Sequence, residues 1–177
     1  MALKPTIYKL KLMLSDMDRN IYETLNITLA QHPSETLERM MVRVLAYCIN
    51  LEEHLDFAKG LSVTDEPDIW LRTLDDRIKL WIDVGEPGVD RIKKASRISE
   101  GVRIYSFNSK SSVWWKQEGS KLNALKAEVF QVDWEGAQRL AAMVERTMDF
   151  SLTLSEGSAY FAADNNDCEL SWIALNA

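Results

Sequence analysis

The sequence predicts an α/β (α+β) fold: one domain in which a mixed central β-sheet is flanked by helices, opened by an N-terminal hairpin and closed by a C-terminal β-meander. Three observations predict it. Segments with an apolar residue at every second position are interspersed, without strict alternation, with segments whose apolar residues recur every three or four. No linker rich in Pro, Gly or Ser divides the 177 residues, a length that suits one core, so the whole chain 1–177 reads as a single domain. A hydrophobic fraction of 46% beside 27% charged residues is that of an ordinary globular chain.

In order, Tyr8, Leu10, Leu12 and Leu14 share one face of an opening strand, with Lys9 and Lys11 on the other. After a polar turn over 16–20, Leu25, Ile27 and Leu29 repeat the pattern, which makes a hairpin. His32-Pro33-Ser34-Glu35 announces a helix: proline suits the first turn and an acid meets the positive end of the dipole. Leu37, Met41, Val44, Leu45 and Cys48 form its apolar stripe. Residues 51–64 show no deciding period. Strands over 68–74 and 77–84 lead to a helix opened by Pro87 and Gly88, with Val89, Ile92, Ala95 and Ser96 inward. A strand over 102–107, a helix over 109–118, a strand over 127–132 and a helix from Asp133, its N-cap, to about 147 follow. Phe150, Leu152 and Leu154 then start a meander that turns at Ser155-Glu156-Gly157-Ser158 and returns through Tyr160 and Ala162 to a strand carrying Cys168, Leu170 and Trp172.

No apolar run approaches the roughly 20 residues of a membrane helix, and the first 20 residues lack a signal-peptide pattern. Cys48 and Cys168 have no CxxC spacing, so a reducing, cytoplasmic compartment is expected. The net charge of −6 excludes a protein that coats nucleic acid indiscriminately, but the charge is uneven. Residues 91–126 hold nine Lys/Arg against only Glu100 and Glu118, with Tyr105, Phe107, Trp114 and Trp115 interleaved. Such an island can guide a polyanion to one place, so nucleic acid is the expected partner; a solvated stripe is the bland alternative. A monomer is expected.

The segment 68–83 carries the chemistry. With Asp75-Asp76 as a two-residue turn, Ile69 faces Ile82, Leu71 faces Leu80 and Thr73 faces Ile78 on one apolar face. The opposite face then pairs Trp70 with Trp81 and Asp68 with Asp83, and a one-residue slip would mix the faces. Directly opposed carboxylates repel. A hard cation such as Mg²⁺, with Mn²⁺ able to substitute, would compensate; the alternative is a wet sheet end where repulsion is screened. Glu38, beside the stripe of the first helix, and Lys93, beside that of the second, are positioned to complete the site, whereas Glu35 and Lys94 lie further round.

Helix, Pro67-Asp68 opening one strand, an acid closing the next, then a helix: this order resembles the PD-(D/E)xK nuclease superfamily. More closely, the whole chain resembles the YaeQ family of small bacterial proteins. The matching stretches are Met1-Ala2-Leu3-Lys4, His32-Pro33-Ser34-Glu35-Thr36 with Glu38-Arg39-Met40-Met41, Asp65-Glu66-Pro67, Leu80-Trp81-Ile82, Arg91-Ile92-Lys93-Lys94-Ala95, Tyr105 with Asn108-Ser109, Trp114-Trp115 and Arg146-Thr147-Met148. The resemblance implies a variant restriction-endonuclease-like fold. It places Asp68 and Asp83 at the two acids, with Glu38 assisting a metal. It also places Gly85 where the superfamily carries its lysine, so that Lys93 would have to replace it.

Three functions follow as expectations. The first is a Mg²⁺-dependent phosphodiesterase on nucleic acid, with Asp68, Asp83 and the Val84 carbonyl holding the ion, Glu38 assisting, Lys93 orienting the water, and Tyr105 and Trp114 helping to hold the strand. The second is a nuclease-fold module without catalysis that binds nucleic acid or a protein. Retaining glycosidase chemistry, with Trp70 and Trp81 stacking on a sugar, ranks below both.

Overall fold

The computed structural model describes residues 4–176; Met1, Ala2 and Leu3 of the family pattern lie outside the described residues. The chain opens with β1 (Thr6–Asp16) and β2 (Ile21–Gln31), an antiparallel hairpin that sets Leu10 opposite Ile27 and Leu12 opposite Leu25. The Thr36 hydroxyl caps α1 (Leu37–Ile49) by accepting from the Arg39 N–H, so residues 32–35 form a turn ahead of the helix and not its first turn. The undecided stretch holds β3 (Leu55–Phe57) and a 3-10 turn over Gly60–Ser62. Then come β4 (Ile69–Arg72), β5 (Ile78–Val84), α2 (Val89–Ile98), β6 (Ser99–Ser106), α3 (Ser111–Ala124) and β7 (Glu128–Val132). The Asp133 carboxylate caps α4 (Trp134–Ala141). That helix ends at Ala141, short of the expected 147, and irregular backbone over 142–146 leads into β8 (Thr147–Ser155), which pairs Met148 in parallel with Leu10. β9 (Ser158–Ala162) and β10 (Asp167–Ala174) complete the meander.

Ten strands make one mixed sheet in the order β2-β1-β8-β9-β10-β7-β6-β5-β4-β3. Its faces are covered unequally. The main core joins the inner residues of β1, β2, β8, β9 and β10 to α1 and α4. Their outward residues stay in water, which is why β1 and β8 alternate so cleanly. A second cluster, built from Trp81, Ile92, Ala95, Val102, Ile104, Leu122 and Val129, lies under α2 and α3 on the other side of β5 and β6. β5 is therefore covered on both faces, and its last five residues, Leu80 to Val84, are all buried.

The β4–β5 hairpin keeps the expected register for Ile69↔Ile82, Trp70↔Trp81 and Leu71↔Leu80, then departs from it. Arg72 pairs with Ile78, a bulge intervenes, and the Thr73 N–H closes on the Arg77 carbonyl at 2.8 Å. The loop is three residues, 74–76, with Asp76 in the left-handed region at φ +62°, a common way to turn a hairpin over one extra residue. Thr73 thus does not face Ile78. No helix of the described residues is long and apolar enough to cross a membrane.

Candidate functional site

At the open end of the β4–β5 hairpin, both aspartates are buried, Asp68 at 2% and Asp83 at 3% exposure, so the end is not wet. They line one cavity of about 380 Å³, with Arg39, Gly60, Gly85, Glu86 and Arg91. Asp68 sits one residue before β4, its N–H donating to the Ile82 carbonyl at 3.1 Å. Its carboxylate accepts from Arg39 Nη2 at 2.8 Å on both oxygens and from the Val84 N–H at 2.8 Å. Gly60 packs so closely that a Cβ there would stand 2.5 Å from Asp68 Oδ1, and its φ of +46° also asks for glycine. Asp83 accepts from Arg91 Nε at 2.7 Å and Nη2 at 3.2 Å.

The network continues outward. Arg39 Nη1 donates to Glu35 at 2.6 Å, and Arg43 donates to both oxygens of Glu35 at 2.8 and 2.7 Å. Glu35, Arg39 and Arg43 are four residues apart, which stacks them on one side of α1 and its cap. The Glu86 carboxylate accepts from the Phe107 N–H at 3.1 Å, pinning the exit of β5 to that of β6. Burial pushes the Asp83 carboxyl up from its ordinary range; the Arg91 hydrogen bonds oppose this and the charge of Asp68 adds to it. Trp81 Nε1 is a buried donor that closes no hydrogen bond, although it lies near enough to favour the Asp83 carboxylate.

Two expected members are not in this constellation. Lys93 is exposed and does not line the cavity. It stands two residues from Arg91, about 200° round a helix, so a helix that turns Arg91 to Asp83 turns Lys93 away. Glu38 is half-buried and forms no hydrogen bond or ion pair among the described residues; Glu35, set aside as a helix-end charge, is the buried acid. Gly85 has φ +115°, and its N–H donates to the Tyr105 carbonyl at 2.8 Å, so the backbone there disfavours any lysine.

The donor set does not fit the expected Mg²⁺. Among the described residues no three His, Cys, Asp or Glu side chains gather to hold a metal. Each of the two carboxylates already has a guanidinium counter-charge, so the like-charge repulsion is answered without an ion. The basic segment divides as well. Arg91 and Arg103 are engaged internally, while Lys93, Lys94, Arg97, Lys110, Lys116 and Lys121 are exposed on α2, α3 and the loop before it. Tyr105 is 1% exposed, stacked on Phe130 at 5.0 Å and hydrogen-bonded to Asn50, so it cannot hold a strand. Trp81 packs beneath α2 and is likewise closed to a sugar.

The model of the YaeQ protein family matches residues 1–172. The chain belongs to the YaeQ family. It is 40% identical to the uncharacterized protein YaeQ of Escherichia coli (strain K12) over 176 residues, 98% of this chain and 97% of that one. The uncharacterized YaeQ of Salmonella typhi is 40% identical over 172 residues, 96% and 95% of the two chains. The crystal structure of YaeQ from Xanthomonas axonopodis pv. citri superposes with a TM-score of 0.92 at 34% identity, covering 98% and 99%. That from Pseudomonas syringae does so with 0.91 at 37%, covering 98% and 97%. The mixed ten-stranded architecture is thus that of the YaeQ fold, and the cluster from Glu35 to Phe107 lies inside the matched region.

Sequence reasoning missed Arg39 and Arg91. A signal was available for Arg91. Ile92 points inward, side chains on a helix lean toward its N-terminus, and Arg91 is in the first turn, nearest the end of β5.

Proposed function

We propose that this YaeQ chain is a cytosolic nucleic-acid-binding module on a variant PD-(D/E)xK scaffold, one that no longer hydrolyses its ligand. The observation that carries the binding half is the surface of α2 and α3. These helices pack on each other, bury Ile92, Ala95 and Leu122, and present Lys93, Lys94, Arg97, Lys116 and Lys121 to solvent, with Lys110 just ahead of α3. On a chain of net charge −6, a concentrated cationic face attracts a polyanion there and repels it elsewhere. The superfamily reading is supported by helix α1, the Asp68-led strand, the Asp83-closed strand and helix α2 in that order. The loss of hydrolysis is supported by Arg39 and Arg91 occupying the acids and by Gly85 in the lysine position.

The test is binding of single- and double-stranded DNA and RNA across a salt series, with cleavage assayed in Mg²⁺ and Mn²⁺. Binding weakens steeply with salt, and Lys93→Glu with Lys116→Glu flattens the slope by about 2 on log–log axes if both touch phosphates. No cleavage accompanies it. Salt-independent behaviour, or no binding, defeats the proposal. The second reading, a metal-dependent phosphodiesterase, is favoured by the acids facing one cavity. It is adopted if cleavage occurs and Asp83→Ala abolishes it.

A further inference from the structure

We infer that the outer edge of β2, where it runs beside α1, takes an extended segment of another protein, one that brings a carboxylate to Arg43 and Lys59. The ladder fixes which backbone groups are available. The Lys9 and Met17 N–H groups donate to the Arg146 and Leu154 carbonyls, so the odd residues of β1 face β8 and the even ones face β2. Their partners on β2 are Leu29, Ile27, Leu25 and Glu23. Tyr22, Thr24, Asn26, Thr28 and Ala30 are therefore left with N–H and C=O directed off the sheet. Arg43 agrees with this direction, its Nη2 donating to the Ala30 carbonyl at 3.1 Å. From Tyr22 to Thr28 no group of the described residues meets the outward backbone.

Long edges are normally blunted by lysine, proline, a bulge or a short strand. β3, the other edge of the sheet, is three residues long. β2 has eleven, pairs with β1 at every position without a bulge, and carries Glu23 as its one charge. The lysines that would guard it, Lys9 and Lys11, stand on β1, one strand further in. An edge of this kind is a template for strand addition.

The surroundings choose the occupant. A cavity of about 270 Å³ opens beside the end of this edge, with Thr28 and Ala30 on one side, Arg43 beneath, and Phe57, Lys59 and Ser62 opposite. A gap of that size admits one extended chain and not the β1–β2 hairpin of a second copy. Glu35 and Asp68 are already answered by Arg39 and Arg43. Lys59 makes no ion pair among the described residues, and Arg43, 6% exposed, has its Nη1 left over. A carboxylate meets both. The site lies on the α1 side of the sheet, whereas the proposed nucleic-acid face lies on the side of α2 and α3, so the inference stands apart from that reading.

The outward stretch from Tyr22 to Thr28 spans roughly 24 Å, which sets the probe. A displayed library of random segments of about seven residues, with free and with blocked C-termini, is selected on the natural chain. Segments with Asp, Glu or a terminal carboxylate at one end are enriched, and as synthetic peptides they shift the Thr24, Asn26 and Thr28 amide resonances. Asn26→Pro removes only an outward N–H, so the β1 ladder stays whole, and it weakens peptide binding at least about tenfold. Lys59→Glu weakens it about fivefold and serves should Asn26→Pro fail to fold. The inference is overturned by a library that enriches nothing, or by enriched peptides that bind both variants undiminished or leave those amides unshifted. It is overturned equally if sedimentation shows the natural chain pairing with its own copy and Asn26→Pro restoring the monomer.

Discussion

Replacing Arg39 by Met keeps most of the stem and removes the guanidinium, and the structure says what that leaves behind. Asp68, 2% exposed, loses the donor that spans both its oxygens and keeps only the Val84 N–H. Glu35, 6% exposed, loses one bond but retains Arg43 on both oxygens, so the damage concentrates on Asp68. Removing one partner of a buried ion pair costs about 3–5 kcal/mol, chiefly through the charge left uncompensated. Arg39's side chain is 16% exposed, so water relieves part of this and the lower end is expected, about 3 kcal/mol. For a chain of this size that is a fall in midpoint of roughly 6–12 °C. Asp68→Asn alone keeps an acceptor for Val84 and costs less. The double variant has no uncompensated charge at position 68, so it sits well above the sum of the singles, with a coupling of about 2 kcal/mol. Urea unfolding followed by circular dichroism, fitted across the four proteins, measures the cycle. A loss below about 1 kcal/mol for Arg39→Met, or strict additivity, would refute the claim that Asp68 is a buried charge held by Arg39.

Three further outcomes follow. Gly85→Lys, which puts a lysine where the resemblance to PD-(D/E)xK nucleases would expect one, forces a side chain onto a backbone with φ +115°; it costs about 1–3 kcal/mol and brings no cleavage, as melting and a nuclease assay show. Tyr105→Phe deletes the hydroxyl that accepts from Asn50 Nδ2 at 2.9 Å and lowers stability by about 1 kcal/mol, since Asn50 still donates to the Ala46 carbonyl. Asp83 titrates above the ordinary carboxylate range in a carbon-detected NMR titration, because burial disfavours its charged form. Its folded form holds the proton more tightly than its unfolded form, so its contribution to stability is full below the unfolded pKa and declines as pH rises through the folded one. An Asp83 value at or below the ordinary range would remove that pH dependence.

What the sequence made legible, and what it hid, divides along physical lines. Alternation in β1 and β8 could be read because each buries one face and leaves the other in water, so period and environment coincide. The same logic found the opposition of Asp68 and Asp83, since only one register keeps Ile69, Leu71, Leu80 and Ile82 on a single face. It failed at Thr73, where Asp76, not a glycine, adopts the left-handed conformation and no residue type advertises the extra loop position. It failed for Tyr105 and Phe107, whose basic neighbours suggest a surface although β6 is covered on both sides. The acids themselves were visible and their partners were not. Which of several cations on α1 and α2 reaches a carboxylate depends on helix rotation to within one residue, about 100°, and hydrophobic pattern fixes rotation only that coarsely. Arg39 and Arg91 therefore decide the character of the site. Each draws a different helix onto the same hairpin end, α1 through Asp68 and α2 through Asp83, so two like charges that would repel in isolation become the joint between three elements. A cation free to leave would make that joint conditional; two guanidiniums tethered to their helices make it permanent.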